Sequence, residues 1–221
     1  MAHRLRFTNS DVKIQQREPV FRGYFSVYRV TVRHRSFAGD WAEPVTREVF
    51  ERGDAVGVLP YDPVNDAFVL VEQFRAGALG DAQSPWMLEL VAGIVDAGQS
   101  DESVARREAD EEAGCELGEL YPIAAYYPSA GACTEHVRLF CGRVLDAAVG
   151  EVRGLDEEGE DILVHRLPRL EVLGMLARGE ISNGHTLVAL QWFALNQSLI
   201  AKAWLGREQL GREQPGREQP G

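Results

Sequence analysis

Basic residues are in deficit along this chain, whose 221 residues carry 23 Lys and Arg against 34 Asp and Glu, a formal net charge of −11 at pH 7. Such a chain lacks the basic stripe that non-specific binding to a nucleic-acid backbone requires, and it takes an anionic ligand only through a metal cation or a local cluster of arginines. Cysteine is also rare. Cys115, Cys133 and Cys141 are odd in number, form no C-x-x-C and have no histidines at zinc spacing, which excludes a disulfide framework and a structural zinc site and points to the reducing cytoplasm. The opening "MAHRLRFTNSDVKIQQREP" has no apolar core of a secretion leader, and no apolar run reaches membrane length, so neither export nor membrane insertion is expected. What is there, 45% hydrophobic and 26% charged residues, suffices for one sizeable core.

The pattern along the chain is that of an α/β protein. "YFSVYRVTVRHRSF" (residues 24–37) alternates apolar and polar, and with "PVTREVFERG" after the "AGD" turn it predicts a hairpin of long strands. "AVGVLPYD", "AFVLVEQFR" and "WMLELVAG" predict three further strands. "SDESVARREADEEAG" predicts a helix capped by Ser100 or Asp101 and stopped by Gly114. Strands follow at "YPIAAYYP", "HVRLFCGRVL" and "DILVHRL", then a short helix at "LEVLGMLARG" and a last amphipathic helix from about Thr186 to Trp204. The end repeats Gly-Arg-Glu-Gln three times without an apolar face and reads as a disordered tail. The expected organisation is an N-terminal β-unit (1–52), an α/β domain with a mixed sheet (53–205) and the tail (206–221).

The helix ending in "ARREADEEAG" opposes its own dipole. Glu108, Asp110, Glu111 and Glu112 crowd its already negative C-terminal end, and Glu108 and Glu112 share one face four residues apart. Taken alone, a charge run of this kind is more often a solvated face. Its context suggests more, because the preceding strand "LELVAG" and loop "IVDAGQ" could aim two or three carboxylates and a strand-end carbonyl at one point. That oxygen-only, anionic arrangement suits Mg²⁺ or Mn²⁺ with phosphate as a further ligand.

Residues 93–115 resemble the Nudix box, G-x5-E-x7-R-E-U-x-E-E-x-G-U with U apolar. Gly93, Arg107, Glu108, Glu111, Glu112 and Gly114 fall on the pattern, Ala109 and Cys115 fill the U positions, and Gln99 replaces the first Glu. "RGYFSVYR", "REVFERG", "LPYDPVND", "VEQFR", "YYPSAGACTEH" and "DEEGEDI" extend the resemblance to the ADP-ribose pyrophosphatase branch of Nudix hydrolases. The resemblance implies an α/β/α sandwich whose N-terminal β-unit helps form a homodimer, and Mg²⁺-dependent hydrolysis of ADP-ribose to AMP and ribose 5-phosphate.

Carried over position by position, the resemblance makes the Ala92 carbonyl, Glu108 and Glu112 metal ligands, with Glu111 nearby and Glu160 an additional metal-associated carboxylate. Glu158 becomes the catalytic base, and Arg107 orients its acidic neighbours. Tyr24 and Phe25 match an aromatic pair that flanks the adenine. Arg47, Glu48, Arg52, Arg75, Ile94, Ser129, Ala130, Gly131 and Glu135 match other substrate-binding positions, the arginines offering planar forks to phosphate or ribose oxygens. Ala130 stands where the branch has proline, which keeps open another nucleoside diphosphate sugar such as GDP-mannose. Gln99 keeps open a module that senses nucleotide without cutting it. His185 reads as a surface or capping residue, Trp192 and Phe193 as core or dimer packing, and Cys133 as an unactivated thiol.

Overall fold

The first strand is one that the alternation of apolar residues does not announce. In the computed structural model, which describes residues 5–155, 157 and 159–212 with side chains as far as Trp204, β1 (Val12–Arg22) pairs antiparallel with β2 (Ser26–His34), which pairs antiparallel with β3 (Val45–Glu51). β2 and β3 are the expected hairpin. β1 escapes a period-2 reading because its register slips between Ile14 and Gln16 and again between Pro19 and Phe21, which breaks the alternation of its side chains. None of the three strands carries a fully buried residue.

This sheet belongs to a compact unit that ends at Asp54 and also takes in Tyr127–His136, so the N-terminal unit is larger than the 1–52 segment expected. The distant segment is tied in through Phe50, whose N–H donates to the Ala132 carbonyl (2.7 Å) and whose carbonyl accepts from the Thr134 N–H (3.0 Å).

The second unit, Ala55–Tyr126 with the residues from Val137 onward, is built on an eight-stranded mixed sheet. Its strands are β4 (Ala55–Asp62), β5 (Ala67–Phe74), β6 (Trp86–Glu89), β7 (Val91–Ile94), β8 (Cys115–Tyr126), β9 (Val137–Ala147), β10 (Val152–Arg153) and β11 (Ile162–Pro168). The main order is β10-β11-β5-β4-β9-β8, with β9 parallel to β4 and the other pairs antiparallel. β8 starts directly after the helix stop and is longer than "YPIAAYYP" suggests, because three register irregularities interrupt its alternation.

A single feature of this sheet positions the site. β4 and β5 pair only at Tyr61↔Phe68 and Asp62↔Ala67, and the chain Trp86–Ile94 pairs first with β5, as β6, and then with β4, as β7. "WMLELVAG" is therefore two strands and not one. At the jog between them the Leu90 N–H donates instead to the Thr186 hydroxyl (2.9 Å).

Helix α1 (Asp101–Ala113) begins where the Ser100 hydroxyl accepts from the Ser103 N–H (3.2 Å), and it ends at Gly114, whose φ of +51° sits in the left-handed region. Its buried Val104, Ala105, Ala109 and Ala113 pack on Val56, Val58, Val69, Val71 and Val91 of one sheet face. The alternate residues Leu59, Tyr61, Phe68, Leu70 and Leu139 meet α2 (Arg169–Arg178) and α3 (Gly184–Arg212) on the other. Period-2 strands buried on both faces thus give the α/β/α layering, and Phe193 and Trp192 join the α3-side core as expected.

α3 is broken at Asn196, whose φ/ψ of −123°/19° is non-helical. Its backbone runs to Arg212, past the Gly206 at which the repeat tail was expected to turn disordered, and residues 213–221 lie outside the described residues. Among the described residues no helix is long and apolar enough to cross a membrane.

Candidate active site

The acidic end of α1 lies against β7. Glu112 is 3% exposed, and its Oε2 accepts the Ala92 N–H at 3.2 Å. Glu108, one turn earlier on the same helix face, lies over Gly93, where any Cβ would overlap its carboxylate. The box glycine is thus a close-approach residue.

Arg107 bonds two of its acidic neighbours, with Nη2 on Glu108 Oε1 (2.7 Å) and Nη1 on Glu111 Oε2 (2.6 Å). Glu160, on the segment before β11, accepts the Leu155 N–H at 3.0 Å and acts electrostatically on both Glu108 and Glu112. Glu158 lies outside the described residues.

These carboxylates are uncomfortable neighbours. Burial, and then the charge of Glu108, push Glu112 up to about 8, with Glu160 adding to the rise while the Ala92 N–H and Arg75 oppose it. Glu108 is raised by burial, partly offset by Arg107 and reinforced by Glu111 and Glu160. Among the described residues no three Asp, Glu, His or Cys side chains already form a metal cage. The donor chemistry nonetheless fits a hard divalent cation, since paired carboxylates raised by burial and mutual repulsion are the groups whose ionised forms such a cation stabilises.

Arg75, which follows β5, is a second cation acting on this group, after Arg107. Glu112 and Glu160 both help hold its guanidinium protonated, although burial opposes this and Glu89 contributes more. Nε lies 3.1 and 3.2 Å from the two Glu89 oxygens, and Nη2 lies 2.7 Å from Oε2. Glu89 also accepts from Asn183 Nδ2 (3.0 Å), and the Asn183 Oδ1 caps α3 by accepting from the Thr186 N–H (3.0 Å). Glu89, Asn183 and Thr186 are not among the site residues expected from the sequence. The available signal was the lone acid inside the apolar run "WMLELVAG", since a buried charge requires a partner. Ile94 pairs with Ala55 at the end of β7.

The remaining substrate-binding candidates fall in the N-terminal unit. Tyr24, 89% exposed, meets Phe25 edge-on (4.7 Å), and Phe25 meets Phe50 in the same way (5.3 Å). The Arg52 guanidinium stands 5.5 Å from the Phe25 ring centre and 3.3 Å from the buried Glu135, so Phe25, Arg52 and Glu135 form one group. Burial raises Glu135, with Arg52 opposing.

Arg47 and Glu48 are exposed on β3, the first on the Thr46 carbonyl (2.9 Å) and the second 3.7 Å from Arg29. Ser129, Ala130 and Gly131 form an exposed turn in which the Ser129 carbonyl accepts from Ala132 and Cys133. His185 is not simply a surface residue, because its Nδ1 lies 2.7 Å from the Tyr126 hydroxyl.

Comparison with known proteins agrees with this geometry. A family model described as the NUDIX domain matches residues 51–214. The chain is 40% identical over 198 residues, 90% of its own length and 95% of its relative's, to the ADP-ribose pyrophosphatase of Escherichia coli (strain K12). It is 34% identical over 147 residues, 66% of this chain and 76% of the relative, to the GDP-mannose pyrophosphatase of Citrobacter koseri. A crystal structure of an ADP compounds hydrolase shares the fold with a TM-score of 0.66 at 20% identity, covering 87% of this chain and 96% of that one.

Proposed function

The chain belongs to the NUDIX family, and from that premise we propose that it hydrolyses ADP-ribose to AMP and ribose 5-phosphate with the help of Mg²⁺, for which Mn²⁺ can substitute. The observation that carries this reading is the placement of Glu112 on the Ala92 N–H and of Glu108 over Gly93. There, with Glu160, they act on one another and are opposed by Arg107 at Glu108 and by Arg75 at Glu112. The relatives named for ADP-ribose pyrophosphatase match 90% of the chain, which supports the substrate assignment.

Glu108, Glu112 and the Ala92 carbonyl would hold the metal, with Glu111 and Glu160 beside them. When bound, the metal offsets the repulsion between an anionic protein and an anionic substrate and polarises the phosphoryl oxygens. Arg75 presents a guanidinium fork to the diphosphate. Glu158 accepts the proton of the attacking water, whose oxygen bonds to one phosphorus while the bridging P–O bond breaks and the other phosphate departs. Tyr24, Phe25, Arg47, Glu48, Arg52, Ile94, Ser129, Ala130, Gly131 and Glu135 make up the nucleotide-sugar contacts.

We further propose a cytoplasmic homodimer. The absence of any buried residue on β1–β3 supports a second copy covering that sheet, and the net charge of −11 sets the protein against nucleic-acid binding. Ala130 favours a second reading, the same chemistry on another nucleoside diphosphate sugar such as GDP-mannose. Incubation with ADP-ribose and with GDP-mannose, each with and without Mg²⁺ and with products identified by mass spectrometry, separates the two. Mg²⁺-dependent AMP and ribose 5-phosphate support the first reading, and products from GDP-mannose alone replace it with the second.

A further inference from the structure

Arg75 is gripped on one edge only. Its Nε and Nη2 are committed to Glu89, its Nη1 has no hydrogen-bond partner among the described residues, and its side chain is 44% exposed. One side of the fork is locked and the other is presented outward. Glu89 is 3% exposed at its side chain, and a carboxylate so buried persists only with its lone pairs satisfied. The second partner that satisfies it is Asn183.

Asn183 has a further task, since its Oδ1 accepts from both the N–H and the hydroxyl of Thr186, each at 3.0 Å. The fully buried Thr186 hydroxyl in turn takes the Leu90 N–H left unpaired where β6 gives way to β7. One hydrogen-bonded chain therefore runs from the start of α3, through the jog in the sheet, to the guanidinium at the end of β5. An arginine on a four-bond stem loses rotamer freedom when it binds, and a carboxylate that has already fixed its plane removes part of that cost.

We infer that Glu89, held by Asn183, is a positioning residue that aims the Arg75 guanidinium at the diphosphate oxygens of the substrate. The inference rests on the reading of Arg75 as a substrate contact. It differs from a purely structural role in predicting that the effect of Glu89 on substrate passes through Arg75.

The test is steady-state kinetics on ADP-ribose and GDP-mannose for the wild-type protein, Glu89→Gln, Arg75→Ala, the double variant and Asn183→Ser. Glu89→Gln keeps the side-chain shape but turns an amide N–H toward the guanidinium. The KM for the substrate the wild type cuts is expected to rise roughly tenfold in Glu89→Gln, by more than kcat falls, and the double variant is expected to be no worse than Arg75→Ala. Asn183→Ser keeps an oxygen to cap α3 but withdraws the donor from Glu89, and a smaller KM rise is expected there. This variant carries the test should Glu89→Gln fail to fold.

A wild-type KM in Glu89→Gln, or Glu89 and Arg75 effects that multiply independently, overturns the inference while leaving the proposed function intact. A wild-type protein that cuts neither substrate overturns the proposed function and this inference with it.

Discussion

The α-carbon of Gly93 lies so close beneath the Glu108 carboxylate that a Cβ built on it would overlap Glu108 Oε1, Cδ and Cγ. The overlapped atoms are the far end of a flexible side chain, so Gly93→Ala can be accommodated by swinging Glu108 away. The expected folding cost is about 1 kcal/mol, that of an off-rotamer side chain. The carboxylate is then misplaced by about the size of a methyl group, and kcat is expected to fall on the order of 10²-fold. Steady-state kinetics beside thermal melts check this, and a variant with wild-type kcat contradicts the placement of Glu108 in the site.

Glu112→Gln is expected to stabilise the cation-free protein. With its folded pKa near 8 and an unfolded value of about 4.3, Glu112 holds a proton in the folded state that the unfolded chain releases between those values. Relative to a neutral side chain it therefore costs nothing below the ordinary carboxylate range, opposes folding increasingly as pH rises from about 4.3 to about 8, and reaches its full cost above 8. In EDTA the variant should melt above wild type at pH 9, with the gap closing by pH 5. Added Mg²⁺ should raise the wild-type melting temperature more than the variant's. A gap that does not change with pH contradicts the raised pKa of the buried Glu112.

The β4–β5 turn depends on Asp62, whose Oδ1 accepts from the N–H groups of Val64 (2.9 Å) and Asn65 (3.0 Å) and whose Oδ2 accepts from Asn65 Nδ2 (2.7 Å). Burial would raise this carboxyl, but the bonds from Asn65 and Val64 outweigh it and hold the pKa below the usual value. Its stabilisation is present above about pH 4 and is lost as pH falls through the lowered pKa. Asp62→Ala is expected to cost about 2–3 kcal/mol at neutral pH, read by urea denaturation. It should also flatten the loss of stability below pH 4.

In the N-terminal unit, Arg52→Ala would leave the buried Glu135 without its cation. Because Arg52 is one-third exposed, solvent screening reduces the cost to about 1–3 kcal/mol. Arg52→Ala/Glu135→Gln should recover most of it. Equal denaturation midpoints for the single and double variants would contradict the pairing.

What could be read in advance follows the reach of each interaction along the chain. α1 was legible because Ser100 and Gly114 bracket it locally, and its carboxylates were legible because Gly93, Arg107, Glu108 and Glu112 lie within one strand-loop-helix unit. The split of "WMLELVAG" was hidden because the group that receives the Leu90 N–H is Thr186, 96 residues away. For the same reason Glu89 looked like an isolated acid, its partners being 14 residues before it and 94 residues after it. β1 was hidden by its register slips and its largely polar "VKIQQREPVFR".

The most direct test of the central claim is hydrolysis of ADP-ribose at saturating Mg²⁺ by the wild-type protein beside Glu112→Gln, with AMP quantified and folding verified by circular dichroism. The expected result is AMP and ribose 5-phosphate from the wild type and loss of turnover in a folded variant. A Glu112→Gln protein that turns over ADP-ribose at the wild-type rate would contradict the assignment of the acidic end of α1 as the catalytic centre.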